Sequence, residues 1–390
     1  MSDPINNQEG LTRRELVFST GAGVAGLAIG GGVVGAIWGG TSGGDDGGGG
    51  PSTTEPIVIG GAYPLTGVSA GDGVEAKRAL ELAAKDLNAM GGVLGRKIEV
   101  ATIDIESDLA PDKIRNVLQR LVNEKNAAMI SMVFCSVTNG EWDPVVTKGV
   151  PLFHVNAYSG NTEWVAEDIE NRGCIFESCA NEKWYGPNLV GLLQRIEATG
   201  KWKPKKKTVA IITSTDPYSL NIANNFRDGI KEGGWEVVVF EKVTAPLSEW
   251  GPQLAKVRET APDVVVNTDW IATDLAAFTK QFMGSPTPSL VYEQFGPSTP
   301  EYLELAGEAS DGVLWSPTIG VLQDKIGQDF REYYDKTYPV PMGFSTAGAI
   351  YDQAMVWAYA ASMAGDAENY GEVVKQIKQL IHRGVVEVAV

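Results

Sequence analysis

Cysteine and histidine are nearly absent: Cys135, Cys174 and Cys179, with His154 and His382, are all that 390 residues hold. So few residues, so irregularly spaced, exclude a zinc module and a disulfide scaffold, and neither a metal nor a cofactor is expected. Basic residues are also scarce, 32 Lys and Arg against 49 Asp and Glu, which leaves a formal charge of −17. That balance repels phosphate backbones and anionic bilayers, so nucleic acid is not an expected partner. What is plentiful is apolar: 43% of residues are hydrophobic and 21% charged, which excludes a wholly disordered or collagen-like chain. A chain of this length exceeds what one core usually serves, so two lobes are expected.

The first 56 residues differ from the rest. Arg13-Arg14 precedes an uncharged, glycine-rich apolar stretch from Leu16 to Gly44, a pattern similar to a twin-arginine export signal. Residues 1–42 are read as that signal or as a retained membrane anchor, since Leu16–Trp38 is about long enough to span a bilayer. Residues 43–56 read as a flexible tether, with no hydrophobic side chain between Gly43 and Glu55. The expected location is therefore extracytoplasmic. These 56 residues carry six acids and two arginines, so −13 of the charge belongs to the folded body.

From Ile57 onward, short β-branched runs alternate with amphipathic segments. Runs at Ile57–Tyr63, Lys97–Ile105, Ala127–Phe134 and Pro151–Val155 predict strands of a first half. Thr208–Thr213, Trp235–Glu241, Pro262–Thr268 and Ser289–Tyr292 predict those of a second. Leu80, Ala83, Ala84 and Leu87 fall on one helical face, with Asp72 and Glu75 placed as its N-capping pair. Alternation of this kind predicts an α/β fold with parallel, doubly wound sheets flanked by helices. Helical patterns at Lys325–Thr337, Ser345–Ala364 and Tyr370–Ile381 lack strands for a third sheet and are expected to return to the first lobe. The predicted organisation is lobe 1 from 57–177 and 318–390, lobe 2 from 178–317, and a cleft between them.

In such sheets ligands bind beyond the carboxyl ends of the strands. The segments found there are Cys135–Asn139, His154–Gly160, Thr215–Tyr218, Thr268–Trp270 and Tyr292–Gln294. Ser136, Val137 and Thr138 suit a carboxylate or amide oxygen, the hydroxyls serving equally as helix N-caps. Asn156, Tyr158, Ser159, Tyr218 and Trp270 offer ring faces and polar groups to a small solute, or else pack. Glu293 can accept from an ammonium or amide, or be a solvated loop acid. Enzymatic readings fare worse. Gly67–Gly73 is neither a dinucleotide fingerprint nor a P-loop. His154 within a strand reads as a core residue, and Cys174 and Cys179 as a disulfide or as inert thiols.

Three segments, Ile57–Gly67 (IVIGGAYPLTG), Leu87–Ile98 (LNAMGGVLGRKI) and Pro300–Val313 (PEYLELAGEASDGV), carry a resemblance. They resemble the substrate-binding proteins of branched-chain amino acid ABC transporters, over about Ile57 to Val390. The resemblance implies a periplasmic binding protein fold of type I, two Rossmann-like lobes that close on a solute. It also implies a non-enzymatic receptor handing a small polar solute, an amino acid, amide or urea, to ABC permease subunits. By position it assigns Ser136 to the ligand carboxylate and Tyr218, Trp270 and Glu293 to the second-lobe wall. Asn156–Gly160 departs from the Ala-Ala-Thr of leucine-type members and looks more like the Tyr-Glu-Gly of the urea and short-chain amide branch. Members normally continue past the point where Val385–Val390 begins a strand pattern, so the resemblance implies a longer chain. The same fold coupled to signalling, or an enzyme on two such lobes, are the alternatives.

Overall fold

The computed structural model describes residues 55–107, 109–134, 138–317 and 319–386. The export pattern, nearly all of the tether and the last four residues of the closing strand pattern lie outside the described residues. No helix among the described residues is long and apolar enough to cross a membrane.

The first half runs β1 Ile57–Tyr63, α1 Ala70–Ala89, β2 Ile98–Asp104, α2 Pro111–Asn123, β3 Met129–Met132, α3 Asp143–Lys148, β4 Leu152–His154, α4 Ser159–Glu167, α5 Ile169–Arg172 and β5 Ile175–Glu177. The second runs α6 Tyr185–Ala198, β6 Thr208–Ser214, α7 Pro217–Glu232, β7 Glu236–Val243, α8 Gly251–Thr260, β8 Val264–Asn267, α9 Ala272–Met283, β9 Leu290–Gln294, α10 Pro300–Ala306 and β10 Leu314–Ser316. Helices α11 Lys325–Thr337, α12 Ala347–Ala364 and α13 Tyr370–Ile377 follow. Each half is one five-stranded parallel sheet, ordered β2-β1-β3-β4-β5 and β7-β6-β8-β9-β10. The order reverses between β1 and β3, and again between β6 and β8, and such switch points open a crevice at the carboxyl ends.

Parallel strands are buried on both faces, so they read as continuous apolar runs. In β6 the alternation shows: Val209 and Ile211 join Phe226 in one core, while Ala210 and Ile212 join Phe278 in another. The eight expected strands are present. Two more strands, β5 and β10, each three residues long, were not expected.

The C-terminal helices pack on the first sheet. Val321, Phe330, Tyr334 and Trp357 share one core with Ile57, Ile59, Leu80 and Leu87. Helix α12 (AGAIYDQAMVWAYAASMA) is apolar nearly all round, which suits a helix enclosed on every side. Its polar residues are answered: Asp352 accepts from the N–H groups of Val385 and Val386, at 3.1 and 2.8 Å, and Gln353 bridges Ser131 and Ser178.

One local expectation is corrected. Asp72 and Glu75 do not cap their own helix, whose first turn has no side-chain cap. They are buried and face α12 instead: Glu75 accepts from the N–H groups of Ala347 and Gly343, at 2.9 and 2.7 Å, and Asp72 from the Thr346 hydroxyl at 3.2 Å. The pair therefore caps a helix some 270 residues away, satisfying donors at an N-terminus whose own cap residue makes no such bond. Burial raises both carboxyls, Asp72 to about 7 with the Glu75 charge adding to the rise.

Candidate functional site

A cavity of about 130 Å³ lies where the carboxyl ends of the two sheets face each other. Its first wall is Leu109 after β2, Phe134 after β3, and Val155 to Tyr158 after β4. Its second is Asp216, Pro217 and Tyr218 at the start of α7, with Trp270 after β8 and Phe295 after β9.

Each side chain has a local reason for its place. Asp216 caps α7, accepting from the Ser219 N–H at 2.9 Å and the Ser214 hydroxyl at 2.5 Å, and Pro217 starts the helix. That holds Tyr218 in the first turn. Its hydroxyl accepts from Gln294 Nε2 at 3.1 Å, and the Gln294 oxygen accepts from Tyr292 at 2.5 Å. Tyr158 folds its ring back over Gly160, where an added Cβ would stand 2.4 Å from a ring carbon, so a side chain there would displace the ring. Asn156 donates to Asn161 at 2.6 Å. Asp269 accepts from the Trp270 N–H at 2.7 Å and fixes that turn.

The rings meet across the cleft. Phe134 of the first wall lies 5.7 Å from Trp270 and 6.2 Å, edge-on, from Phe295 of the second, centroid to centroid. Phe295 and Leu109 both hold positive φ, 58° and 49°, a costly conformation for bulky residues. Backbone strain of this kind persists where the surroundings enforce it, and it clusters at ligand sites.

The expected site residues divide into three groups. Asn156, Tyr158, Tyr218 and Trp270 line the cavity. Thr138 is exposed and donates to Glu141, and Ser159 is buried with both its N–H and its hydroxyl given to Glu182. Ser136 and Val137 lie outside the described residues. Glu293 is corrected: it is no loop acid at the cleft. It sits within β9, fully buried, with its side chain under α9 and α10. Alternate residues of a strand face opposite ways, so Gln294, which accepts from Tyr292, reaches Tyr218 while Glu293 turns away.

Burial pushes the Glu293 carboxyl up to about 8. The hydrogen bonding agrees. The Thr279 hydroxyl lies 2.9 Å from the Leu275 carbonyl and 2.5 Å from Glu293 Oε1, and it has one proton for two acceptors. A protonated Glu293 donating to Thr279 resolves this. Asp269 is likewise raised, to about 7, by burial and then by the Asp274 charge.

His154 is buried and stacked on Trp142 at 5.2 Å, and burial depresses it to about 3, as for a core residue. Gly67–Gly71 does spell the letters G-x-S-x-G, but Ser69 is buried and its hydroxyl has no partner among the described residues, so no base there activates it. Cys174 and Cys179 are not joined to each other: Cys174 is a buried thiol pushed up to about 11 by burial, and the Cys179 thiol donates to Glu177 Oε1 at 3.7 Å. No group of His, Cys, Asp and Glu suited to a metal ion occurs among the described residues.

Residues 56–382 match the family described as periplasmic binding protein. The chain belongs to that family. A family protein of known structure from Silicibacter pomeroyi, assigned to the branched-chain amino acid ABC transporters, is 34% identical, covers 86% of each chain and superposes with a TM-score of 0.77. The LivJ substrate-binding protein of Streptococcus pneumoniae, solved with isoleucine, is 21% identical over 83% of this chain and 88% of its own, with a TM-score of 0.70, a likeness of fold. The Leu/Ile/Val-binding protein homolog 7 of Brucella suis is 26% identical over 60% of this chain, and the chain spans 57% of that relative's length. The two-sheet architecture is thus the two-lobe fold of type I periplasmic binding proteins, and the cavity lies between its lobes.

Cavity residues outside the segments chosen from the sequence are Leu109, Phe134 and Phe295. A signal existed for Phe295, the first residue after β9: the segment chosen there stopped one position short.

Proposed function

We propose that this periplasmic binding protein is an extracytoplasmic solute receptor serving ABC permease subunits, and that its solute is an amino acid with an apolar side chain. The observation that carries the reading is the facing of Phe134 with Trp270 and Phe295 across the cavity. A space of this size surrounded by rings suits one small ring or a branched aliphatic group, since an apolar cavity of about 150 Å³ accepts benzene. Such walls reward apolar burial at about 25 cal/mol per Å² and gain little from urea or a short amide. The polar end of the solute would meet Asn156, Asp216 and the hydroxyls of Tyr158 and Tyr218. The isoleucine held by LivJ is a solute of this kind.

The lobe boundaries follow as part of the proposal, with the hinge where the chain passes from β5 to α6 and from β10 to α11. Twin-arginine export and delivery of the solute to a permease remain as read from the sequence. Calorimetry with isoleucine, phenylalanine, acetamide and urea tests the reading. Binding of either apolar amino acid with a melting-temperature rise supports it. Binding of urea or acetamide alone returns the protein to the amide branch. Turnover of any of the four would make it an enzyme.

A further inference from the structure

We propose that Glu182 is a positioning residue that ties the two walls of the cavity together through a single buried carboxylate. Glu182 follows β5, in a short 3-10 turn spanning Glu182–Trp184, and is fully buried. Its Oε2 accepts from the Ser159 N–H at 2.5 Å, and its Oε1 from the Ser159 hydroxyl at 2.6 Å and from Asn221 Nδ2 at 2.9 Å. Its own N–H donates to the Ala157 carbonyl at 3.0 Å. Ala157 and Ser159 flank Tyr158 on the first wall. Asn221 stands on α7, three residues beyond Tyr218 on the second.

The arrangement is not explained by packing. A buried carboxylate is costly unless its oxygens are filled by donors, and here the donors come from both halves of the molecule. The nearby cation Lys183 is given to Glu163 instead. The carboxylate also serves the first N–H of α4, whose cap residue Tyr158 makes no capping bond. The loop that presents Tyr158 and the helix that presents Tyr218 are therefore both anchored to one side chain that lies outside the cavity lining. The separation of the walls then depends on Glu182, and with it the balance between open and closed lobes.

The inference rests on the solute-receptor reading only in taking lobe opening as the functional motion. Its test needs no solute. Paired labels on non-natural ketone side chains at Glu124 and Glu232, exposed positions in the first and second halves, report the distance distribution of the full chain. Glu182→Leu keeps much of the volume and removes both acceptors, leaving the Ser159 N–H and the Asn221 NH₂ without this partner. The open population should rise roughly tenfold or more, the size expected for losing a hydrogen bond to a buried charged group. Glu182→Gln can still accept from the Ser159 N–H, while the Ser159 hydroxyl and a flipped Asn221 amide accept from its NH₂, so it should keep the parental distribution. Should Glu182→Leu fail to fold, Asn221→Ala removes one bond only and should still shift the distribution. A folded Glu182→Leu chain whose distribution matches the parent overturns the inference. So does a shift in Glu182→Leu that Asn221→Ala does not reproduce in part, since Glu182 would then act as local structure only. A failure of isoleucine to bind would count against the proposed solute and leave this result untouched.

Discussion

The two halves share a strand order but are completed differently. The first sheet borrows its covering helix from far along the chain: α12 and α11 share its core, and Glu75 reaches across to their connecting turn. The second sheet is covered by the helices that interleave with its own strands, as Phe226 of α7 and Phe278 of α9 show. Their buried acids differ in the same way. Glu75 meets backbone N–H donors and the attraction of Arg331, which oppose the rise caused by burial. Glu293 meets hydroxyls, keeps one oxygen without a partner among the described residues, and is raised to about 8. Glu75, which joins two distant segments, is supplied with backbone donors, whereas Glu293, enclosed within the second half, is not.

The sharpest way to break that contrast is Trp357→Ala, which empties the centre of the borrowed helix. It should cost about 3–5 kcal/mol in denaturant unfolding. Hydrogen exchange should show β1 and α1 losing protection while β6 and β8 keep theirs. Equal loss in both halves would mean that they form one cooperative unit. Next is Glu75→Ala, which strands the N–H groups of Gly343 and Ala347 and should cost about 2–3 kcal/mol.

Glu293→Gln sharpens the other side of the contrast. A carboxyl raised from 4.5 to about 8 holds its proton more tightly folded than unfolded, so its stability contribution is complete below pH 4.5 and is lost as pH climbs through about 8. Glutamine mimics the neutral form at every pH. The variant should therefore match the parent near pH 4 and exceed it by about 1–2 kcal/mol at pH 9, after allowance for relaxation around the charge. Melting curves across that range check it, and solute affinity should not change, because the side chain faces away from the cavity. The smallest effect is expected from Phe134→Leu, which keeps the apolar volume but removes the ring contacts to Trp270 and Phe295. An aromatic pair is worth about 0.5–1.5 kcal/mol, so binding of isoleucine should weaken about three- to tenfold with little change in melting temperature.

The alternation of β-branched runs with amphipathic segments determined the α/β class, eight of the ten strands and the parallel sheets. It could do so because a strand buried on both faces shows its burial in composition alone. The rule that ligands meet the carboxyl ends of strands then selected the loops bearing Asn156, Tyr158, Tyr218 and Trp270. Face and partner were beyond its reach. Where β9 ends decides whether Glu293 or Gln294 turns toward Tyr218, because a shift of one residue reverses a strand's faces. Asp72 and Glu75 have the spacing of a local capping pair, yet their donors belong to residues 343–347. Glu182 sits in an ordinary turn sequence and matters only through Ser159 and Asn221, which the fold brings to it. Local pattern records what a residue does to its own backbone, while a hydrogen bond between segments hundreds of residues apart exists only once the whole chain has packed.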